Sequence, residues 1–225
     1  YELTRSPEGL DSFLSRATAQ TLPGLDEGSR LRLLAASGVE YLLLTRPLAG
    51  GAAATLLESR AGPAPLHIYR LEGVPAEAFF AGTVHRAPHL NGALSRILDA
   101  AFEPSRHAVL AGSGPATTGS DGRVEIIASA PESIELVVEA SGPGALVVHR
   151  AHLPIWRAEI DGRPAPILAA NLHRLGLEIS PGEHRVRLWV DRRPLWAAGL
   201  VAAGALAVVL FLSAPRRRRA VGKIR

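Results

Sequence analysis

The sequence predicts an α+β fold with a membrane anchor. It would comprise a small mixed α/β subdomain, an all-β sandwich of about seven strands and one C-terminal transmembrane helix. Three observations carry this prediction. Residues 195–214 (LWAAGLVAAGALAVVLFLSA) run for twenty positions without a charge. Residues 123–192 break into short apolar segments punctuated by turn residues. Residues 1–111 mix capped helical patterns with short apolar runs. The expected layout is an α/β subdomain over 1–111, a Gly/Ser linker over 112–122, the sandwich over 123–194, the span over 195–214 and a basic cytoplasmic tail over 215–225.

In the first part, Ser6 followed by Pro7 reads as a helix N-cap with proline at the first helical position, which predicts a helix to about Thr18. Asp26 opens a second helix, with Leu31, Leu33, Leu34 and Ala35 as its apolar surface and Gly38 as its stop. Val39–Thr45 (VEYLLLT) is short and almost continuously apolar, as a buried strand would be. Further strands are predicted at Leu66–Leu71, Ala78–Arg86 and His107–Ala111. A helix capped by Asn91 is predicted to run to about Phe102.

GSGPATTGSDG (112–122) has linker composition. Beyond it come VEIIASA, SIELVVEAS, ALVVHRA, IWRAEI, PAPILAA, HRLGLEI and HRVRLWV. Seven short strands with turns at this spacing indicate a sandwich or barrel. Val186, Leu188 and Val190 alternate with Arg185, Arg187 and Trp189, the pattern of a half-buried strand. Asp161-Gly162 between two such runs is a hairpin signal, because glycine accepts the positive φ of the turn.

At about 1.5 Å per residue, a helix over 195–214 would span roughly 30 Å, the thickness of a bilayer's hydrocarbon core. Trp196 falls in its first turn, where an indole suits the headgroup region, and Pro215 closes it. Arg216, Arg217, Arg218 and Arg219 follow as a topology anchor and favour a cytoplasmic C-terminus, with the preceding domain outside. The tail also explains the chain's basicity. Without its six cations, 19 Lys+Arg stand against 21 Asp+Glu. A mildly acidic remainder offers no electrostatic footprint for nucleic acid.

The chain has no Met and opens at Tyr1 in mid-pattern, so it is expected to be a fragment or a processed chain, with any export signal upstream. With no Cys, disulfides and Cys-containing zinc sites are excluded.

Pro154-Ile155-Trp156, Asp161-Gly162, Asn171, Pro181-Gly182-Glu183-His184 and Pro194 stand in an order and spacing that resembles the C-terminal region of YfhO-type bacterial membrane proteins. LRLLAASGVEYLLLT (31–45) and LHIYRLEGVPAEAFF (66–80) resemble that family's upstream outer domain. The resemblance implies a polytopic protein related to the GT-C glycosyltransferases, which use polyprenyl-phosphate sugar donors. Its catalytic acid would lie in an early loop that this chain does not contain. Ile155 takes the family's Gly position, and His152-Leu153 replace the usual polar-aromatic residues before the Pro, so any close backbone access given by that Gly is lost.

Candidate chemistry is sparse. Pro88 opposes a helix that would align His85 with His89, and His149 and His152, three apart on a strand, point to opposite faces. Neither HExxH, GxSxG nor a phosphate loop occurs, and no metal or cofactor is expected. Trp156 with Asp161 could stack and bind a sugar, with Asn171 and His184 nearby as further weak ligand candidates. The favoured alternative puts Trp156 in the sandwich core. The expected role is therefore accessory: an extracytoplasmic domain at the bacterial cell membrane, serving envelope glycosylation. Its partners would be the bilayer, the protein's own upstream spans and an envelope glycan or lipid-linked sugar. The alternatives are a single-span glycan- or protein-binding surface protein without catalysis, or an enzyme using His149, His152 or Asp161 between the two outer parts.

Overall fold

The computed structural model describes residues 24–49 and 54–193. Contacts divide the chain into Tyr1–Val190 and Asp191–Arg225, and the first unit is described here.

Asp26 caps helix α1 (Glu27–Ala36): its carboxylate accepts from the Ser29 amide at 2.9 Å. The helix stops where Gly38 turns left-handed, at φ 77°, and Val39 N donates back to Leu34 O at 3.0 Å. Leu31, Leu34 and Ala35 pack on Ala54, Tyr69 and Leu71 of an antiparallel three-stranded sheet. That sheet is ordered β1 (Tyr41–Leu44), β3 (Leu66–Leu71), β2 (Ala54–Arg60). Leu33 and Ala36 on the same helix meet Ala93 and Ile97 of helix α2 (Leu90–Leu98).

Two larger sheets form the body. The five-stranded sheet is ordered β11 (Arg163–Ala165), β10 (Trp156–Ile160), β14 (Gly182–Val190), β8 (Ser133–Ala140), β7 (Gly122–Ala130). The six-stranded sheet is ordered β4 (Ala78–Ala81), β9 (Gly144–Ala151), β13 (Arg174–Ile179), β12 (Leu168–Ala170), β6 (His107–Ala111), β5 (Thr83–Ala87). Every second residue of β8 (Ile134, Leu136, Val138, Ala140) and of β14 (Val186, Leu188) points inward, onto Phe80, Leu146, Val148, Leu175 and Leu177. This period of two defines the sandwich core.

The six-stranded sheet rolls up. Its two outermost strands, β4 and β5, follow one another with only Gly82 between them, so the two edges of the sheet meet at that residue. Phe79, Ala81, Val84, Ala108, Leu110, Ala145, Val147 and Ala170 fill the resulting interior. Mostly small residues allow so tight a closure. Gly176 makes room too, since a Cβ there would lie 2.6 Å from Leu110 Cδ2. Strands β5 and β6 run parallel, with α2 as the crossover that parallel pairing requires.

The expected α+β class is corrected to a mostly β one: the described residues hold fourteen strands and two helices, of ten and nine residues. The expected separation into a mixed subdomain and a later seven-strand sandwich also gives way. β4, β5 and β6 from the first part complete the sheet formed by β9, β12 and β13. Apolar runs that read as local units find their hydrogen-bond partners far along the chain. The span Ala78–Arg86, expected as one strand, breaks at Gly82, and Ala54–Arg60 forms a strand that was not predicted. Asn91 does not cap α2; His89 takes the N-cap position. The linker is pinned, with Thr117 and Val84 exchanging backbone hydrogen bonds of 2.8 and 3.0 Å. Among the described residues no helix is long and apolar enough to cross a membrane. The expected transmembrane helix at 195–214, with Trp196 and Arg216 to Arg219, lies outside the described residues, as does the helix expected after Ser6.

Candidate functional site

The residues singled out by the motif series converge on turns. Asp161 (φ 52°) and Gly162 (φ 73°) are both left-handed and join β10 to β11, the conformation that a two-residue hairpin favours. Asp161 Oδ1 accepts from Arg185 N at 2.8 Å, and Asp161 N donates to Arg185 O at 2.9 Å. Its Oδ2 lies 2.7 Å from His184 Nδ1, while His184 Nε2 lies 3.0 Å from Ser180 Oγ and 3.2 Å from Ser180 O. The hydrogen bond from His184 holds the Asp161 carboxyl below its usual range. The same bond raises His184, against a smaller opposing effect of burial.

Carboxylate, imidazole and hydroxyl in series have the connectivity of a serine hydrolase's relay. The chemistry differs at Nε2. A relay needs a lone pair there to take the serine proton, but the Ser180 carbonyl can only accept, and so favours a proton on that nitrogen. The raised affinity of His184 for protons acts in the same direction. Its ring clamps the Ser180–Gly182 turn to the Asp161–Gly162 turn.

The other two motif residues are interior. Trp156 is 7% exposed and packs in the sandwich core, leaving no face for a sugar. Asn171 is 1% exposed, with φ 46°. It replaces a strand rung: its Oδ1 accepts from Val109 N at 2.9 Å and its own N donates to Val109 O at 2.9 Å.

Sequence reasoning missed a buried basic cluster at the end of α1. Arg174 Nη2 donates to the Ser37 carbonyl, placing a cation at the negative end of the helix. The His149 ring lies against Gly38, where a Cβ would come within 2.5 Å of Nδ1, and packs edge-on to Phe79 at 5.8 Å. Burial pushes His149 down to about 4 and His173, 7% exposed, down to about 3, with the Arg174 charge adding to both. Burial also lowers Arg174, to about 10, so it keeps its proton. Among the described residues, His149 Nε2, His173 Nδ1 and Ser37 Oγ have no hydrogen-bond partner. Two neutral imidazoles beside one guanidinium form a structural cap and a poor cation site. Among the described residues no three His, Cys, Asp or Glu side chains group to hold a metal.

The sequence also gave no sign of a cavity of about 490 Å³ at the corner where Gly82 links β4 to β5. Two segments line it, Glu103 with Ser105 to His107 and Gly119 to Gly122, next to Phe80, which is itself buried in the sandwich core. Arg106 Nη2 crosses to Asp121 Oδ1 at 3.4 Å. His107 Nδ1 accepts from Glu103 N at 3.2 Å, which tightens the 103–107 turn. A Cβ on Gly82 would sit 1.6 Å from the Ser120 carbonyl, so only glycine lets the two walls approach. The cavity walls come from segments that the sequence presented as a helix end and a linker. No family model, curated protein or solved structure matches the chain.

Proposed function

We propose that this chain supplies the accessory outer domain of a YfhO-like bacterial membrane protein that serves envelope glycosylation, and that it performs no catalysis itself. One observation supports this reading above the others. Asp161, Asn171 and His184, which carry the motif series, are all engaged in backbone or turn contacts, and Trp156 is packed in the core. A motif spent on holding hairpins together is a motif for a shape. The domain stands outside the cytoplasm, next to the protein's upstream spans. Its partners there are the bilayer and an envelope glycan or lipid-linked sugar.

An alkaline phosphatase fusion after Val190, in the protein with its natural upstream region, tests the placement, because that enzyme is active only outside the cytoplasm. Enzymatic activity in intact cells is expected; an inactive fusion overturns the outer location. If the upstream residues hold no series of apolar spans with an acidic residue in the first outer loop, the glycosyltransferase relationship falls.

A second reading, a glycan- or protein-binding surface protein without catalysis, is favoured by the outer face of the three-stranded sheet, where Tyr41 is 51% and Leu43 64% exposed. A signal peptide directly upstream of Tyr1 would select it.

A further inference from the structure

We infer that the opening half of β7, residues 122–126, is the docking edge for a second copy of this chain, which adds its own β7 antiparallel about a two-fold axis through Val124. The pairing goes beyond the accessory role and does not depend on it.

Strand β7 is hydrogen-bonded on one side only, to β8, and forms one edge of the five-stranded sheet. The opposite edge is blunted. There β11 has three residues, and Pro164 at its centre has no N–H to offer an incoming strand. β7 has no such protection until its bulge, where the register shifts between Ile126 and Ala128. Gly122 to Ile126 therefore present a regular edge with neither Pro nor Lys. Val124 and Ile126 stand opposite Val138 and Leu136, whose side chains fill the core, so both face the core side of the sheet. Ile126 is nevertheless 38% exposed, because the sheet stops there.

Face and charge select the occupant. A two-fold axis perpendicular to the sheet keeps the core sides of both copies together. Centred on Val124, it sets Arg123 opposite Glu125 of the second copy and Glu125 opposite its Arg123, so one symmetry operation makes two ion pairs. Within one copy both side chains are exposed, and neither makes an ion pair or hydrogen bond with another described residue. A centre on Arg123 or on Glu125 would set like charges face to face. The Val124 centre also brings the two valines side by side and puts Ile126 opposite Gly122, whose missing side chain leaves it room. So short a pairing gives a small interface, below about 1,200 Å², of the kind that associates weakly and reversibly.

Sedimentation equilibrium of the 225-residue chain in a nonionic detergent tests the pairing, at concentrations up to about 1 mM so that a weak interface is populated. A reversible monomer–dimer equilibrium is expected. Arg123→Glu and Glu125→Arg should each weaken it roughly tenfold or more, since each turns both ion pairs into repulsions. Mixing the two variants should restore association, because each then meets the opposite charge on the other. Near-ultraviolet circular dichroism reports that both stay folded.

A cross-link gives an independent readout. The chain has no Cys, so Val124→Cys can form a disulfide only between two copies, and residues facing each other across the axis lie within its reach. Ser129→Cys, farther along β7, would lie about 30 Å from its counterpart and should not oxidise to a dimer.

A chain that stays monomeric throughout would leave the edge to a strand of another protein and overturn the dimer. Charge variants that associate as the parent does would place the contact elsewhere and overturn it too. So would a mixture that fails to restore association, or Ser129→Cys cross-linking as readily as Val124→Cys. Should a charge variant unfold, the two cysteine variants decide the matter.

Discussion

His184 Nδ1 lies 2.7 Å from Asp161 Oδ2, tying the turn after β10 to the opening of β14. The two residues are twenty-three positions apart, yet each satisfies the other's polar group at the rim of one sheet. The pair also sets a pH window. His184 is raised, so its contribution is complete below the free histidine value of 6.5 and fades as pH rises through its folded value. Asp161 is lowered, so its contribution is complete above 3.8 and fades as pH falls through its folded value.

Asp161→Asn keeps a residue that tolerates the left-handed turn while removing the charge. The variant should lose most stability relative to the parent between pH 4 and 6, by only about 1 kcal/mol, because the Asp161 carboxylate is half exposed to water. The difference should shrink by pH 9. Urea midpoints across pH measure this, and a pH-independent difference would show that the charge pair is idle.

Acid should weaken the fold through His149 and His173. Both are held neutral by burial, at about 4 and about 3, while in the unfolded chain they take up protons below 6.5. The unfolded state therefore binds more protons, and stability falls as pH drops from 6.5 towards 4. The loss is roughly 2–3 kcal/mol per histidine by pH 4.5. His149→Gln should flatten this slope in denaturant titrations at pH 7 and 4.5. An unchanged slope would mean that the ring is hydrated.

Asn171 separates backbone strain from hydrogen bonding. Asn171→Ala leaves the buried Val109 amide without its acceptor and forces a positive φ on alanine, and should cost about 2–4 kcal/mol. Asn171→Gly relieves the strain but not the amide, and should recover about 1 kcal/mol of that loss. Equal melting temperatures for the two variants would place the whole cost in the hydrogen bond.

Gly176→Ala should overpack the rolled sheet. The new methyl would meet Leu110 Cδ2 at 2.6 Å and Ala170 Cβ at 2.8 Å, at a cost of about 1–3 kcal/mol. Leu110→Val trims one of these neighbours, so the double variant should be less destabilised than the sum of the singles. Strict additivity in a double-mutant cycle would show that the two positions do not touch.

The strands between Gly122 and Val190 were legible because alternation and turn residues are local signals. Val186 and Leu188 point inward as the pattern requires, and Asp161-Gly162 makes its hairpin. Partnership was not legible. Period two assigns a face to each residue of β4, yet nothing in AFFA names β9, whose paired residues lie 64 to 70 positions on, as its neighbour. Gly82 looked like the middle of a strand because its role is set by the Ser120 carbonyl pressed against it. His149, His173 and Arg174 carry no common signal in the sequence, since only the fold brings them to the end of α1. The candidate cavity was hidden for the same reason: its walls meet only when the sheet has rolled.

The pairing of β4 with β9, and of β6 with β12, has a consequence for biogenesis. A ribosome releases Ala78–Ala111 long before the strands that must flank them exist. Those early apolar stretches wait with open backbone edges until Ile179 has emerged, and any cell making this chain must shield them meanwhile.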